Sequence, residues 1–438
     1  MSNTVYITGV APVCGLGLGI DDVWQGLLDG QSVIAPCRAF DTSHFESTLT
    51  AEVPGYKMRD FVPKSYRKQT KVMARDIELA VLAADQAARD AGLVTSGTAD
   101  GDNADAPPCY DPTRVGCHIG AGLIAADLDE LTLALDQSRK DDQSFDIHLW
   151  GREGMRNLTP LWLLKYLPNM LACHVTIIHD VQGPSNTITC AEASGGLSLG
   201  ESLRVIQRGQ ADACFCGGAE SKVNPMTFIR QVYSGRLTTN NDDPAGAVRP
   251  FDQNASGTVV GEGGGILILE SAATYEQRSG TNAYAKVLGF GASQSVNRAT
   301  RSLEPCEDGK GPRQAIEKAM REAGVGPDDI HAVFPFGCGH PNWDAAEAAA
   351  LRSVLGQRLS EVPVVSVKSL IGNCSAGASA IDLCIAAKAL REQKLPPMTG
   401  RDQPIDGLGA TTAEKLDTVL VCTTGFGGQN AAVVLGKT

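Results

Sequence analysis

The sequence predicts a layered α/β fold built from two similar halves, and two observations lead to this prediction. Short apolar runs rich in β-branched residues alternate with alanine-rich stretches of helical length, which is the pattern of buried strands between helices. Four stretches of the first half also recur, in the same order, in the second half. Such an ordered set of internal matches is typical of a duplicated unit. We therefore expect two α/β halves whose turns meet at their junction, where open α/β sheets tend to bind ligands.

The recurring stretches each correspond to one structural element. A helix closed by glycine, ADQAARDAGL, is matched by AIEKAMREAGV, and a strand that runs into glycines, RVGCHIGAG, is matched by HAVFPFGCG. A strand, turn and long small-residue helix, ITCAEASGGLSLGESLRVIQRG, is matched by VKSLIGNCSAGASAIDLCIAAKAL, and ACFCGGAES is matched by LVCTTGFGG. On these matches we place the two halves at residues 1–270 and 271–438.

Individual elements follow from the same periodicity. Predicted strands are Val5–Val10, Arg114–Ile119, Ser185–Thr189, Ala213–Cys216, Ile266–Glu270, Ala283–Gly289, Ala332–Phe336, Val364–Val367, Thr418–Cys422 and Ala431–Leu435. Predicted helices are Thr70–Ala91, Leu128–Ser138, Ser194–Gln207, Arg313–Ala323, Asp344–Leu355 and Ala376–Gln393. The segment TSGTADGDNADAPPCYDP is rich in Gly, Asp and Pro, which predicts a solvated surface loop.

Composition excludes several classes of function. The chain has 438 residues, 43% of them hydrophobic, and a formal net charge of −12. Binding to nucleic acid needs clustered cations that neutralise phosphates, so we expect no nucleic-acid partner. An acidic chain also repels other acidic proteins, such as acyl carriers, unless it has a local basic patch.

The 13 cysteines lie mostly within apolar stretches and lack the paired spacing of a zinc ribbon. We therefore expect buried free thiols and a cytoplasmic location. The N-terminus MSNTVYITGV has neither a basic start nor a long apolar core, so it does not resemble a secretory leader. Apolar runs fall short of the ~20 residues that cross a membrane, and we expect no membrane span.

Six stretches together resemble the β-ketoacyl synthases of fatty-acid and type II polyketide assembly. They are VYITGVAPVCGLGLGIDDVWQGLLDGQSVI, NMLACHVTIIHDVQGPSNTIT, GESLRVIQRGQADACFCGGAES, RPFDQNASGTVVGEGGGILILES, DAAE and GFGGQNAAVVL. The resemblance covers nearly the whole chain. It implies the thiolase-type αβαβα sandwich, made of two duplicated halves with five-stranded sheets. The glycines of CGLGLG then belong to a turn after the first strand rather than to a dinucleotide loop.

The resemblance also implies that three catalytic positions have changed. In the family a nucleophilic Cys opens the central helix, and two His residues handle decarboxylation and the charge on the thioester oxygen. Placing GPSNTITCAEASGG on the family pattern puts Glu192 at the nucleophile. Counting back from Asp344 puts Phe336 at the first His, and the run KSLIGN puts Asn373 at the second. A carboxylate is a poor acyl acceptor and an amide cannot carry a proton, so we expect no intact catalytic residue.

Other family positions are retained, at Lys368, Glu347 and Phe426. The resemblance places Glu192 at the start of a helix, where the dipole and free amides favour an anion. We expect its carboxylate to occupy the place of an acyl thioester against the amides of the oxyanion hole. Phe336 is expected to close the pocket with apolar bulk.

Four further groups of residues have both a functional and a simpler structural interpretation. Cys190 could serve as a displaced nucleophile, but we expect it to lie on the preceding strand. His340 could serve as a substitute base, but we expect it to line the wall of the pocket. His174 and His179 flank what we predict to be an apolar strand and are expected to be structural. Cys338 and Cys374 lack a third and fourth ligand at suitable spacing, so we predict no metal site and no cofactor.

The functional prediction is a non-catalytic subunit of the chain-length-factor type, which pairs with an active ketosynthase and shapes its acyl tunnel. We expect the strand Ser185–Thr189 at the heterodimer interface, the tunnel wall at Arg114–Leu128 and Phe145–Leu164, and an acyl carrier protein as the second partner. The alternative is an enzyme of altered chemistry that uses Glu192, as a malonyl-carrier decarboxylase or an acyltransferase. An unpaired homodimer also stays open. On this view the chain is not an active condensing enzyme by itself.

Overall fold

The computed structural model describes residues 4–278, 282–297, 302, 304–405, 407–408 and 410–438. The first three residues, which belong to the segment compared with a leader, lie outside this range. The strands are β1 Val5–Cys14, β2 Gly17–Leu18, β3 Ile34–Pro36, β4 Leu49–Ala51, β5 Val115–Gly120, β6 Ser185–Ile188, β7 Ala213–Ser221, β8 Val260–Ser271, β9 Ala285–Gln294, β10 Ala332–Phe334, β11 Thr418–Thr424 and β12 Gln429–Gly436.

Helices lie between these strands, and they include the six that the sequence predicts. They are α1 Ile20–Leu28, α2 Arg75–Asp90, α3 Leu128–Asp136, α4 Ile147–Arg152, α5 Met170–His179, α6 Ser194–Gln207, α7 Pro225–Tyr233, α8 Ala272–Arg278, α9 Lys310–Ala323, α10 Pro341–Leu355, α11 Lys368–Ile371 and α12 Ala378–Glu392. None of the described helices is long and apolar enough to cross a membrane.

The strand order shows the duplication. The main path runs β10-β11-β12-β9-β1-β8-β7-β5-β6. Outward from the β1–β9 pair, the order β1-β8-β7-β5 of the first half is repeated by β9-β12-β11-β10 in the second, and β6 adds a fifth strand to the first half. In each half the first strand lies beside the last strand of that half, and both of those contacts are antiparallel. The outer contacts β5–β7, β5–β6 and β10–β11 are parallel. The predicted αβαβα sandwich of two similar halves is therefore confirmed.

Two central helices fill the layer between the halves. Helix α6 follows β6, helix α12 occupies the corresponding position in the second half, and the two pack against each other. Their close approach requires small residues, because a Cβ on Gly195 would lie 2.7 Å from the Cβ of Ala380. Helices α2 and α9 cover the outer faces of the two sheets. This packing explains why both central helices are rich in Gly, Ala and Ser, and it brings their first turns to one place.

The structure also corrects parts of the sequence prediction. Residues Val364–Val367 do not form a strand, and only an isolated bridge joins Val333 to Val364. The segment predicted as an apolar strand between His174 and His179 is helix α5. The short run between the two histidines is ambiguous between strand and helix in the sequence. In the structure it belongs to a helix of ten residues, on which Val175 and Ile178 are buried and Ile177 is exposed. The division of the chain after residue 270 stays a prediction.

Candidate functional site

The candidate site forms where four turns meet at the carboxyl ends of the central strands and the starts of the central helices. Two of them are 3₁₀ turns, Ala191–Ala193, which leads into α6, and its counterpart Ser375–Gly377, which leads into α12. The other two are the loop 336–339 and the loop between β11 and β12. Ala191 has φ +48° and Ser375 has φ +52°, a left-handed conformation that costs a non-glycine residue free energy. Because the same strained turn occurs in both halves, the duplication extends to the detail of the site.

Glu192 lies at the centre of this arrangement, with 1% of its surface exposed. Its Oε2 accepts the backbone N–H of Phe426 at 2.8 Å, and its Oε1 accepts a hydrogen bond from Nδ2 of Asn373 at 3.1 Å. The Glu192 backbone carbonyl accepts the hydroxyl of Ser379 on α12 at 2.6 Å. Two hydrogen-bond donors from separate turns therefore point at one carboxylate inside the protein.

Asn373 and Phe426 are both held rigidly. The Asn373 backbone pairs with β8, and its Oδ1 accepts the backbone N–H of Ser375 at 2.8 Å, so the amide orientation that presents Nδ2 to Glu192 is set. Phe426 lies in the tight loop between β11 and β12, which is closed by a hydrogen bond from the backbone N–H of Gly428 to the carbonyl of Gly425 at 2.9 Å. Donors fixed before a ligand arrives are the arrangement that stabilises a developing negative charge.

Phe336 closes one side of the site. It is fully buried and packs edge-to-face on Phe426 with ring centroids 5.6 Å apart. Together with Cys338, Trp343 and Ala378, these two rings form a small apolar cluster of their own. The wall beside Glu192 is therefore apolar and aromatic.

Two buried carboxylates hold the loop 336–339. Glu347 accepts the backbone N–H groups of Phe336 and Gly337, at 3.2 and 2.8 Å. Asp344 accepts those of Cys338 and Gly339, at 3.0 and 3.1 Å, and also one from Phe251 at 2.8 Å. Burial raises the pKa of Asp344 to about 7 and that of Glu347 to about 8. Both residues act as acceptors for the loop and do not contact Glu192, so we assign them a positioning role.

Lys368 forms a buried ion pair with Asp382 of α12. The lysine is 1% exposed, and its ammonium also lies 5.8 Å from the centroid of the Phe336 ring. Burial raises the pKa of Asp382 to about 6, against the opposing attraction of Lys368. The pair joins α11, which precedes Asn373, to α12, which follows it.

The cysteine and histidines for which the sequence allows both a functional and a structural role do not take part in the hydrogen bonds to Glu192. Cys190 lies at the N-terminal end of the 191–193 turn rather than on β6, is half-buried, and has a pKa raised by burial. His174 and His179 are buried and make hydrogen bonds to Tyr66 and Thr95, and burial lowers the pKa of His174 to about 4. Both histidines are structural.

The thiols of Cys338 and Cys374 are buried, and burial raises the pKa of each well above its usual value. Six more cysteines are buried in the same way, namely Cys14, Cys117, Cys214, Cys216, Cys384 and Cys422. Across the part of the chain that the structure describes, no three His, Cys, Asp or Glu side chains are grouped so that they could hold a metal ion.

One residue at the site has no signal in the sequence. The Arg236 guanidinium carbon lies 4.5 Å from the centroid of the Phe426 ring and 5.3 Å from that of Trp343. Arg236 belongs to the polar segment YSGRLTTNND, far from either ring in the chain. Spacing alone could not have placed it there.

Two family models match the chain. "Beta-ketoacyl synthase, N-terminal domain" matches residues 2–274, and "Beta-ketoacyl synthase, C-terminal domain" matches residues 284–401. Among the curated relatives, 3-oxoacyl-[acyl-carrier-protein] synthase 2 of Vibrio cholerae is 31% identical, with 99% of both chains covered. The synthase of the same name from Synechocystis sp. is 30% identical over 99% of this chain and 98% of its own length.

Solved structures are similar over the same length. The ishigamide ketosynthase/chain length factor is 26% identical with a TM-score of 0.80, and 99% of each chain is covered. A β-ketoacyl synthase from Burkholderia phymatum reaches a TM-score of 0.82 at 23% identity, again with 99% of each chain covered. A ketosynthase solved in complex with a type II polyketide acyl carrier protein has a TM-score of 0.80 at 24% identity and 99% coverage of each chain.

The relatives correct the functional prediction made from the sequence. Proteins that match the whole chain at about 30% identity are named as synthases, and these names point to a catalytic ketosynthase. The prediction of a non-catalytic chain-length-factor subunit is therefore wrong, and so is the expectation that the chain is not a condensing enzyme by itself. That prediction gave full weight to three changed side chains.

Proposed function

Because this chain belongs to the β-ketoacyl synthase family, we propose that it is a catalytic ketosynthase acting on acyl groups delivered by an acyl carrier protein. One observation carries the proposal. The backbone N–H of Phe426 and the Nδ2 of Asn373 converge on the Glu192 carboxylate in a buried site. Such a donor pair suits a thioester oxygen on which negative charge develops.

The proposed reaction makes one carbon–carbon bond. A malonyl thioester loses carbon dioxide, the resulting enolate attacks the carbonyl carbon of an acyl thioester, and the thiol of the acyl donor leaves. Both steps put negative charge on a thioester oxygen, and the two donors are placed to stabilise it. The Glu192 carboxylate occupies that place in the free protein, so a bound thioester has to displace it from the two donors.

A basic surface supports the carrier as a partner. Six cations between residues 57 and 71 are exposed, although the chain as a whole carries a net charge of −12. They are Lys57, Arg59, Lys64, Arg67, Lys68 and Lys71. A local patch of this sign attracts an acidic carrier and speeds its association.

We also propose that a second chain of the same fold, in a homodimer or a heterodimer, covers the edge strand β6. Ser185 and Asn186 are exposed there, and β6 is the last strand of the sheet path. Large apolar side chains are also exposed in the segment between β5 and β6, namely Leu123, Phe145, Ile147, Leu161, Leu163 and Ile177. Exposed apolar side chains and a free strand edge are both typical of an interface.

The test is a condensation assay. Purified protein is incubated with an acyl carrier loaded with an acyl group and with malonyl carrier, and 3-oxoacyl carrier is measured by intact mass. We expect product from the native chain, and a rate about 10²–10³ lower for Asn373→Ala. The exposed Asn240→Ala is the matched control and should keep the native rate. Absence of product, or equal product from the Asn373 variant, would contradict the proposal.

Two more variants identify the acyl acceptor in the same assay. Loss of both product and acyl adduct in Cys190→Ala would show that the acyl group passes through that thiol. If instead product forms without any acyl adduct on the protein, and its rate falls in Glu192→Gln but not in Cys190→Ala, the enolate attacks the carrier-bound thioester directly.

The carrier surface is tested separately by binding. Lys64→Glu/Lys68→Glu should weaken carrier binding about 10-fold at low salt, because it reverses two charges in the patch. The control Lys394→Glu/Lys437→Glu changes the net charge equally on exposed lysines elsewhere. Equal weakening by both pairs would show that net charge, and not this patch, attracts the carrier.

A further inference from the structure

Arg236 lies at the edge of the site and has no ion-pair partner among the described residues. Its guanidinium lies over the rings of Phe426 and Trp343, at 4.5 and 5.3 Å from their centroids. Within the described residues no carboxylate forms an ion pair with it and no acceptor takes a hydrogen bond from its side chain. Stacking on two aromatic faces holds the planar guanidinium in one orientation. Its five N–H donors remain available.

Two more polar groups beside Arg236 also lack partners. Trp343 is 1% exposed, and its Nε1 has no acceptor among the described residues. His340 packs edge-to-face on Trp343 at 4.9 Å between centroids and lies 6.5 Å from Phe426. Its buried Nδ1 is likewise without a partner in the described part of the chain. Buried donors are normally satisfied, so two orphaned groups beside one free cation indicate a missing acceptor.

The electrostatics agree with an anionic acceptor. Burial lowers the pKa of His340, and the positive charge of Arg236 lowers it further, while Glu304 acts in the opposite direction. A neutral imidazole and an indole N–H contribute hydrogen bonds, and Arg236 contributes the charge. The ring of Phe426 connects this group to the candidate site, because the backbone N–H of Phe426 already binds one carboxylate, that of Glu192.

We propose that Arg236, with His340 and Trp343, forms an anion-binding subsite beside Phe426 that binds the free carboxylate of a malonyl-type thioester. The proposal deepens the proposed function and rests on it, since it names the residue that selects an acyl group with a carboxylate. A planar guanidinium binds a carboxylate through two parallel hydrogen bonds. The phosphate of the carrier's prosthetic arm offers the same chemistry, and the experiment separates the two sources.

The test measures binding to the whole chain by calorimetry with two small thioesters, the N-acetylcysteamine esters of malonate and acetate. Neither probe contains phosphate. The native protein should bind the malonyl ester about 10-fold more tightly than the acetyl ester, because a charge-assisted hydrogen bond is gained. Arg236→Gln should abolish that preference, and the exposed Arg230→Gln on α7 is the matched control that should keep it. A preference that survives in the Arg236 variant overturns the proposal.

Free phosphopantetheine without an acyl group is the third probe. If Arg236→Gln weakens its binding and leaves the malonyl-to-acetyl ratio unchanged, the subsite binds phosphate and the carboxylate assignment is wrong. Near-ultraviolet circular dichroism confirms that each variant is folded. The outcome is independent of turnover: selective malonyl binding without any 3-oxoacyl product would contradict the proposed function and leave the subsite standing.

Discussion

Replacing Lys368 with methionine should destabilise the fold and loosen the site at the same time. Lys368 and its partner Asp382 are 1% and 2% exposed, so a carboxylate that loses its ammonium stays largely shielded from solvent. Methionine is close to lysine in volume, so the cavity contribution is small. What remains is an unpaired buried charge, which costs roughly 3–5 kcal/mol of unfolding free energy.

The change in unfolding free energy caused by Lys368→Met should also depend on pH, in a direction that can be checked. In the native protein burial raises the pKa of Asp382 to about 6. A carboxyl group whose pKa is higher in the folded than in the unfolded state stabilises the fold fully below its unfolded pKa, and this contribution is lost as the pH rises through about 6. Without Lys368 the folded pKa rises further, because the opposing attraction is lost. The variant should therefore continue to lose stability between pH 6 and pH 8, where the native contribution is already level.

Urea unfolding at pH 6 and pH 8 measures both quantities. The double variant Lys368→Met/Asp382→Leu removes the charge together with its partner and should recover most of the loss. A single-variant loss below about 1 kcal/mol at pH 8, where a buried unpaired charge should cost several, would refute the reasoning. So would a double variant no more stable than the single one.

Three further outcomes are expected. Burial, then the neighbouring Glu220, raises the pKa of Asp76 to about 8. The stabilising contribution of Asp76 is therefore lost between pH 4 and pH 8, and Asp76→Asn should gain about 1–2 kcal/mol in urea unfolding at pH 8 but not at pH 4. Asp344→Ala frees three backbone N–H groups and should cost about 2–4 kcal/mol, with faster hydrogen exchange in residues 336–339. Gly200→Ala puts a Cβ 2.3 Å from the Phe290 ring and should cost about 1–3 kcal/mol, whereas Gly55→Ala, with open space around it, should be neutral in the same assay.

The two halves of the fold were predictable because duplication repeats every element, and each match supports the next. Helix α6 was predicted with its observed bounds, since its small-residue pattern and flanking turn are unambiguous. Helix α5 was missed, because the run LACHVTII suits a buried strand as well as a buried helix. Only tertiary packing on α2 decides between them.

For the site, the resemblance supplied the positions of Glu192, Phe336 and Asn373, and the structure shows what surrounds them. The hydrogen bonds to Glu192 come from residues 181 and 234 positions away in the chain. Contacts over such separations leave no local pattern in one sequence. Arg236 is the clearest case, because nothing in its own segment distinguishes it from a surface cation.

The burial of the thiols has a practical consequence for chemical labelling. Eight of the 13 cysteines are buried, and the other five, Cys37, Cys109, Cys173, Cys190 and Cys306, are partly accessible. Maleimides react with thiolates, and burial keeps the eight protonated, as in Cys14, whose pKa it raises to about 12. A fluorophore or spin label added to the folded chain therefore attaches to a small set of surface positions, and removing four of them leaves Cys190 as a single reporter beside Glu192.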